Sequence, residues 1–230
     1  MTKRVSVVAV VLAALATPAI AGITTFGPSP YLSLNDSPLQ FLAFQYFHVE
    51  DFEDAELNTP GASVSNGFVT IPGPASDSVD ADDGTIDGSG VAGRSWYPNL
   101  MTVSFSFSSA ALGNLPTHVG IVWTDVGNVP PGAVFGVTDV TVRYFDANDV
   151  QLAIVTSPQG DGSVLGGTAE DRFFGAAFEG GISRIEISTS NSTDWEVDHL
   201  QYGYIPAPGV AGVALLALAG VTARRRRQSV

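Results

Sequence analysis

The chain has 230 residues, which allows one ordinary domain once segments at its two ends are set aside. Apolar residues make up 45% of it, which excludes intrinsic disorder, and the absence of cysteine excludes disulfide frameworks, thiolate metal sites and cysteine nucleophiles. All 23 acidic residues lie between Asp36 and Asp198 with only four arginines, and the resulting net charge of −19 in this part of the chain argues against nucleic-acid binding.

The amino terminus has the layout of a secretory signal peptide. Lys3 and Arg4 form a positively charged start, an apolar run follows over 5–16, and Ala19 and Ala21 supply the small residues that precede a cleavage site. A 12-residue helix is too short to cross a hydrocarbon core of about 30 Å. The sequence therefore predicts a signal helix that directs export and is cleaved after Ala21, with an uncleaved anchor as the alternative.

Between the two ends, apolar and polar residues alternate with a period of two, which is typical of β-strands. Residues 146–149, Asp-Ala-Asn-Asp, separate two such runs and predict a hairpin turn. The predicted strands are 45–52, 64–71, 101–107, 118–124, 140–145, 150–156, 172–178, 182–187 and 195–204. Short strands separated by turn residues predict an all-β antiparallel sandwich over 45–204, preceded by a lead-in over 22–44.

The densest acidic loop contains five aspartates interrupted by glycine: Asp77, Asp80, Asp82, Asp83 and Asp87. Calcium needs hard oxygen ligands on tight turns, and this composition supplies both. The spacing does not match an EF-hand loop, so no known motif decides the matter. We therefore expect either a calcium site in this loop or a solvated acidic loop that binds no metal.

Candidate residues for other chemistry are few. Trp96 and Tyr97 precede a proline in a predicted loop, where exposed rings would be able to stack on a sugar; packing in the core is the alternative. The three histidines, His48, His118 and His199, lie far apart and have no nucleophile elbow or zinc-binding helix motif near them. The sequence predicts no catalytic site, although paired carboxylates of a hydrolase are not recognisable by spacing alone.

The carboxyl terminus has three parts: Pro206-Ala207-Pro208, an apolar segment at about 209–223, predicted as a hydrophobic helix, and a basic cluster. The cluster consists of Arg224, Arg225, Arg226 and Arg227. Positive charges next to an apolar segment stay on the cytoplasmic side of a membrane. Combined with an exported amino terminus, this orientation places the domain between the two ends outside the inner membrane.

This tail, residues 205–230, resembles the PEP-CTERM sorting signal. The resemblance implies recognition and removal by an exosortase in bacteria that make extracellular polysaccharide. It also implies transient anchoring in the inner membrane and a final location at the cell surface or outside the cell. Ala207 stands where the family usually has glutamate, and an unprocessed anchor is the alternative.

Two further segments, 51–53 and 195–203, resemble the first and last strands of galactose-binding-like jelly rolls. The resemblance implies a jelly-roll sandwich, and modules of this shape often bind a structural calcium between an early acidic residue and a late aspartate. The candidate ligands that it implies are Glu50, Asp51, Glu53, Asp171 and Asp198. The alternative is that these carboxylates face water at strand ends.

These patterns together predict an exported, non-catalytic protein of the cell surface or the extracellular matrix, with calcium as the candidate ion. A module that binds extracellular polysaccharide is the alternative function, and a cryptic secreted hydrolase is the second alternative.

Overall fold

The computed structural model describes residues 22–73, 76–81, 93–126, 138–160 and 170–206. The predicted signal peptide with Ala19 and Ala21 lies outside these residues, as does the tail from Ala207 onward. Asp82, Asp83 and Asp87 of the acidic loop also lie outside them. Within the described ranges, no helix has the length and apolar character needed to cross a membrane.

The described residues form mainly short strands, with one single-turn α-helix, α1 (Ser109–Leu112), and two 3₁₀ turns, Leu34–Asp36 and Val79–Ala81. The strands are β1 (Thr24–Pro30), β2 (Tyr46–Glu50), β3 (Ala62–Val64), β4 (Phe68–Val69), β5 (Trp96–Tyr97), β6 (Thr102–Phe107), β7 (His118–Val126), β8 (Thr138–Phe145), β9 (Gln151–Gln159), β10 (Arg172–Ala177), β11 (Arg184–Thr189) and β12 (Trp195–Tyr204).

Two antiparallel sheets pack against each other, which confirms the predicted all-β sandwich. Sheet A has the order β1-β10-β7-β12-β5-β4, with β2 also paired to β12, and sheet B has the order β3-β6-β11-β8-β9. Strand β6 shows why the sequence folds this way: Val103 and Phe105 are buried in the core between the sheets, whereas Ser104 and Ser106 point away from it. The turn at 146–149 joins β8 to β9 as predicted.

The outer face of sheet A, which points away from sheet B, is also covered. Tyr31, Leu39 and Val79 pack there against Val122 of β7 and Phe173 of β10. The segment predicted as a lead-in thus contributes β1 to sheet A and apolar side chains to its outer face. Because both faces are covered, every residue of β12 except the last is buried, whether polar or apolar.

Candidate functional site

Residues 76–81 lie across the outer face of sheet A, where hydrogen bonds to β12 hold them. The Asp77 N–H donates to Oε2 of Glu196 (2.7 Å), and the Val79 N–H donates to Oδ2 of Asp198 (2.9 Å). Hydrogen bonds to ionised acceptors are stronger than neutral ones. Two acidic side chains of a single strand therefore fix this segment.

Asp77 belongs to a group of five buried acids that we call the carboxylate cluster. Its members are Asp77, Asp125, Glu170, Asp171 and Glu196, and none is more than 6% exposed. They come from four parts of the chain: the 76–81 segment, the end of β7, the two residues before β10, and β12. Apart from the adjacent Glu170 and Asp171, the members are distant in sequence, and they meet through sheet pairing and the docking of the 76–81 segment.

Burial and mutual repulsion disfavour the charged forms of these acids. Burial, followed by the charges of the other four members, raises the pKa of Asp77 to about 11. Burial also raises the pKa of Glu196 to about 7, although hydrogen bonds from the Ser95 hydroxyl and the Asp77 N–H favour its ionised form. Without a cation, the cluster consequently retains protons at neutral pH.

The cluster offers oxygen ligands alone, which is the set that Ca²⁺ prefers. A divalent cation would neutralise carboxylate charge in this cluster, and it would lower the pKa values of Asp77 and Glu196. Within the described part of the chain, no three of these acids place oxygens within 4.8 Å of one another. An ion bound here would therefore draw the side chains inward.

A second group, Asp80, Asp198 and His199, does place its ligand atoms within 4.8 Å of one another. We call it the histidine clamp. Nε2 of His199 lies 3.1 Å from Oδ2 of Asp80, and the His199 N–H donates to Oδ1 of Asp198 (2.7 Å). Oδ2 of Asp198 accepts from the Ser78 hydroxyl (3.2 Å) in addition to the Val79 N–H. Both oxygens of this fully buried aspartate thus have hydrogen-bond donors.

Tyr31 orients the His199 ring from the other side, with its Oη 3.0 Å from Nδ1. The Gln201 amide donates to the same Oη (2.8 Å). Because an amide nitrogen can only donate, the phenol accepts from Gln201. Although burial lowers it, the charges of Asp198 and Asp80 raise the pKa of His199 overall, and in the imidazolium Nδ1–H donates to Tyr31 while Nε2–H donates to Asp80. Toward a neutral ring, the phenol instead directs its own proton to Nδ1. In the neutral ring, Nε2 then carries the proton that is donated to Asp80. A metal at Nε2 would have to displace this hydrogen bond, so the clamp is better suited to holding the 76–81 segment in place.

The structure divides both predicted calcium sets between these two groups. Of the loop set, Asp77 joins the carboxylate cluster and Asp80 joins the clamp. Of the set implied by the jelly-roll resemblance, Asp171 joins the cluster and Asp198 joins the clamp. Asp51 is exposed and lines a cleft of about 780 Å³ beside the clamp.

The remaining two predicted ligands bind backbone groups of nearby loops. Oε1 of the buried Glu50 accepts from the Phe52 N–H (3.1 Å), and its Oε2 accepts from the N–H groups of Asn58 (3.0 Å) and Thr59 (3.1 Å). Oε1 of Glu53 accepts from the Arg94 N–H, and it shares the single proton of the Ser78 hydroxyl with Asp198. These two acids stabilise loop conformations.

The expectation that Trp96 is exposed in a loop is wrong. Trp96 and Tyr97 form strand β5, and Trp96 is only 7% exposed, with its Nε1 donating to the Asn66 carbonyl (3.0 Å). Its ring packs in the core between the sheets and cannot stack on a sugar at the surface. Tyr97 is partly exposed and lines a pocket of about 350 Å³ together with Phe68.

Sequence reasoning missed Asp125, Glu170, Glu196 and His199 as candidate site residues. A signal was present, because Glu196 and Asp198 alternate with apolar residues in a strand and Asp125 follows an apolar run. Such alternation ordinarily indicates one face in water. It cannot show that a distant segment covers that face.

Comparisons with known proteins add little. No family model matches the chain, and no curated protein matches it. Among solved structures, the enzymatically active domain of tailspike protein 4 from bacteriophage CBA120 is similar over 67% of this chain and 20% of that one, at 11% identity and a TM-score of 0.30. The chain thus spans about a fifth of that structure, and a likeness at this level carries no argument about fold or activity.

Proposed function

We propose that the chain is an exported, non-catalytic protein of the cell surface or extracellular matrix, and that Ca²⁺ at the carboxylate cluster stabilises its β-sandwich. The signal-peptide layout and the PEP-CTERM-like tail support export, with an exosortase-type enzyme as the processing partner. We also propose that the sandwich is a jelly roll of the galactose-binding-like type. The antiparallel pairing of β2 with the last strand, β12, supports this finer assignment.

The observation that carries the calcium proposal is the convergence of five buried acids from four parts of the chain. Burying several like charges together is unfavourable unless protons or a cation neutralise them. Extracellular modules bind calcium with dissociation constants of about 10⁻⁴ to 10⁻³ M, so a site of modest affinity suffices outside the cell. Because the unfolded chain does not assemble the cluster, calcium would stabilise the folded state alone.

Thermal unfolding in calcium and in chelator tests this proposal. Calcium at about 100 times its dissociation constant should stabilise the fold by about 2.7 kcal/mol, which corresponds to a rise in melting temperature of about 5–10 °C. Asp171→Asn should abolish this rise, whereas Asp139→Asn, at an exposed acid on β8, should preserve it. Equal midpoints in calcium and chelator would overturn the calcium proposal.

Export is tested separately in a bacterium that has an exosortase. Replacing the arginines at 224–227 with serine should change membrane retention and processing of a tagged chain, because the basic cluster orients the apolar segment. Location and processing identical to the wild type would contradict the sorting assignment. Neither outcome bears on the calcium site.

The second candidate function is binding of extracellular polysaccharide, and the pocket at Tyr97 favours it. A cryptic hydrolase is the further alternative, which turnover of a polysaccharide or ester substrate would support. All three histidines lie in strands. Burial lowers the pKa of His48 in β2 and of His118 in β7. His199 is held in the clamp by Tyr31 and Asp80.

A further inference from the structure

The β4–β5 pair at one edge of sheet A presents an apolar wall to solvent. Phe68 and Tyr97 lie opposite each other in this pair, with ring centroids 5.3 Å apart and planes tilted by 48°. Phe68 is 54% exposed, and Ile71 beside it is 83% exposed. Large side chains exposed together at the rim of a pocket indicate a binding surface more often than isolated ones do.

The floor of the same pocket is polar and acidic. Asp194 and Glu196 line it, together with the hydroxyls of Thr70 and Ser76. Tyr97 lines the pocket beside Asp194, and burial together with the Asp194 charge raises the pKa of Tyr97 to about 12. Glu196 is held by the Ser95 hydroxyl and the Asp77 N–H, so this carboxylate is fixed before any ligand arrives.

The combination of exposed apolar side chains and acidic side chains in this pocket favours a particular class of ligand. A pyranose ring has a C–H face that packs on an aromatic ring, and its hydroxyls supply the donors that carboxylates accept. The pocket volume of about 350 Å³ lies at the lower end of small-molecule sites, which suits one or two sugar residues. Asp194, together with the ionised fraction of Glu196, repels an anionic occupant, so uronic acids and sulfated sugars are disfavoured.

We infer that this pocket binds an uncharged pyranose residue of a polysaccharide, with its C–H face on Phe68 and its hydroxyls directed at Asp194. The inference develops the carbohydrate alternative of the proposed function. It does not require calcium, although Glu196 belongs to both the pocket and the carboxylate cluster. Binding of a neutral polysaccharide in chelator tests the pocket, whereas the calcium-dependent melting temperature tests the cluster, so the two failures are distinguishable.

Affinity electrophoresis of the purified full chain tests the inference, with galactomannan and a soluble β-glucan as neutral probes and alginate as the polyuronate. At least one neutral polysaccharide should retard the protein, and alginate in chelator should not. Phe68→Ala should weaken the retardation about tenfold, because it removes the stacking surface. Phe41→Ala removes a ring that is 84% exposed elsewhere on the surface and should leave the retardation unchanged.

Two further measurements separate the possible results. Circular dichroism of Phe68→Ala should match the wild type, since an exposed ring adds little to the core. Asp194→Asn should weaken neutral-sugar binding and reduce the discrimination against alginate, which a purely apolar contact would not do. Absence of retardation by both neutral probes, or equal retardation of Phe68→Ala and wild type, would overturn the inference. Retardation that occurs in calcium and not in chelator would contradict the claim that sugar binding does not require calcium.

Discussion

The 76–81 segment places one aspartate in each of two contrasting surroundings. Asp77 joins the carboxylate cluster, where burial and neighbouring acids raise its pKa to about 11. The exposed Asp80 joins the histidine clamp, where it pairs with an imidazole. Burial also raises the pKa of Asp198 beside it, but only to about 7, because the His199 charge and hydrogen bonds from three donors favour its ionised form. Burial alone therefore does not decide whether an acidic side chain stabilises this fold. The partners that surround it decide.

The largest expected loss of stability comes from a substitution in the histidine clamp. Asp198→Asn should destabilise the protein by about 3 kcal/mol, because an amide has one acceptor oxygen and its NH₂ group would face donors. Urea unfolding measures the loss, with Asp139→Asn as the control expected within about 0.5 kcal/mol of wild type. If Asp198→Asn were as stable as the wild type, the clamp would not hold the 76–81 segment in place.

The pH dependence of stability in chelator tests the cluster. The folded pKa of Glu196, about 7, lies above its ordinary value of 4.5, so its contribution to stability is present below the ordinary value and is lost as the pH rises toward 7. Glu196 alone should therefore lower the stability by about 3 kcal/mol from acid to neutral pH, at roughly 1.4 kcal/mol per pH unit. The raised pKa of Asp77 adds to the fall in the same direction. Saturating calcium should flatten this slope, and a rise in stability over the same range would contradict the assigned protonation.

Removing a charge from the cluster should increase the stability of the protein, whereas Asp198→Asn in the clamp should decrease it. Asp77→Asn mimics the protonated acid, so in chelator at neutral pH it should stabilise the protein by about 2 kcal/mol. It should also weaken the response to calcium, because one oxygen ligand is replaced. Destabilisation in chelator would mean that the Asp77 carboxylate has favourable partners that outweigh its acidic neighbours.

The smallest effect concerns the orientation of the imidazole. Tyr31→Phe keeps the ring that packs on Phe173 and removes the hydroxyl between Gln201 and His199, which should destabilise the protein by about 1 kcal/mol. An NMR titration of the His199 ring should show a changed tautomer population or pKa. An unchanged imidazole signal would argue against a hydrogen bond from Tyr31.

Much of the sandwich could be predicted, because each strand carries its own pattern. Alternation in β6 and the Asp-rich turn between β8 and β9 are local features, and both predictions are confirmed. Strand β1 was missed, since its 24–30 sequence contains two prolines and a glycine and lacks clear alternation. Trp96 was misplaced because a two-residue strand has too few residues to show a period.

The candidate site was predictable only in part. The sequence showed that Asp77, Asp80, Asp171 and Asp198 were available as oxygen ligands, but it grouped them by proximity in the chain or by resemblance. The structure instead places Asp77 with Asp171 and Asp80 with Asp198. The reason is that β12 contacts the 76–81 segment at two points, through Glu196 near Asp77 and through Asp198 near Asp80. No local sequence pattern shows which of these aspartates belongs to the carboxylate cluster and which to the histidine clamp.

By itself the sequence determined the acidic character of the chain, its strand-forming periodicity and the patterns at its two ends, all of which depend on residues close together along the chain. The tertiary structure alone decided that the polar face of β12 is buried and which acids meet there. The physical reason is that burial depends on what covers a surface. Here the covering side chains come from 31–44 and 76–81, far from β12 in sequence.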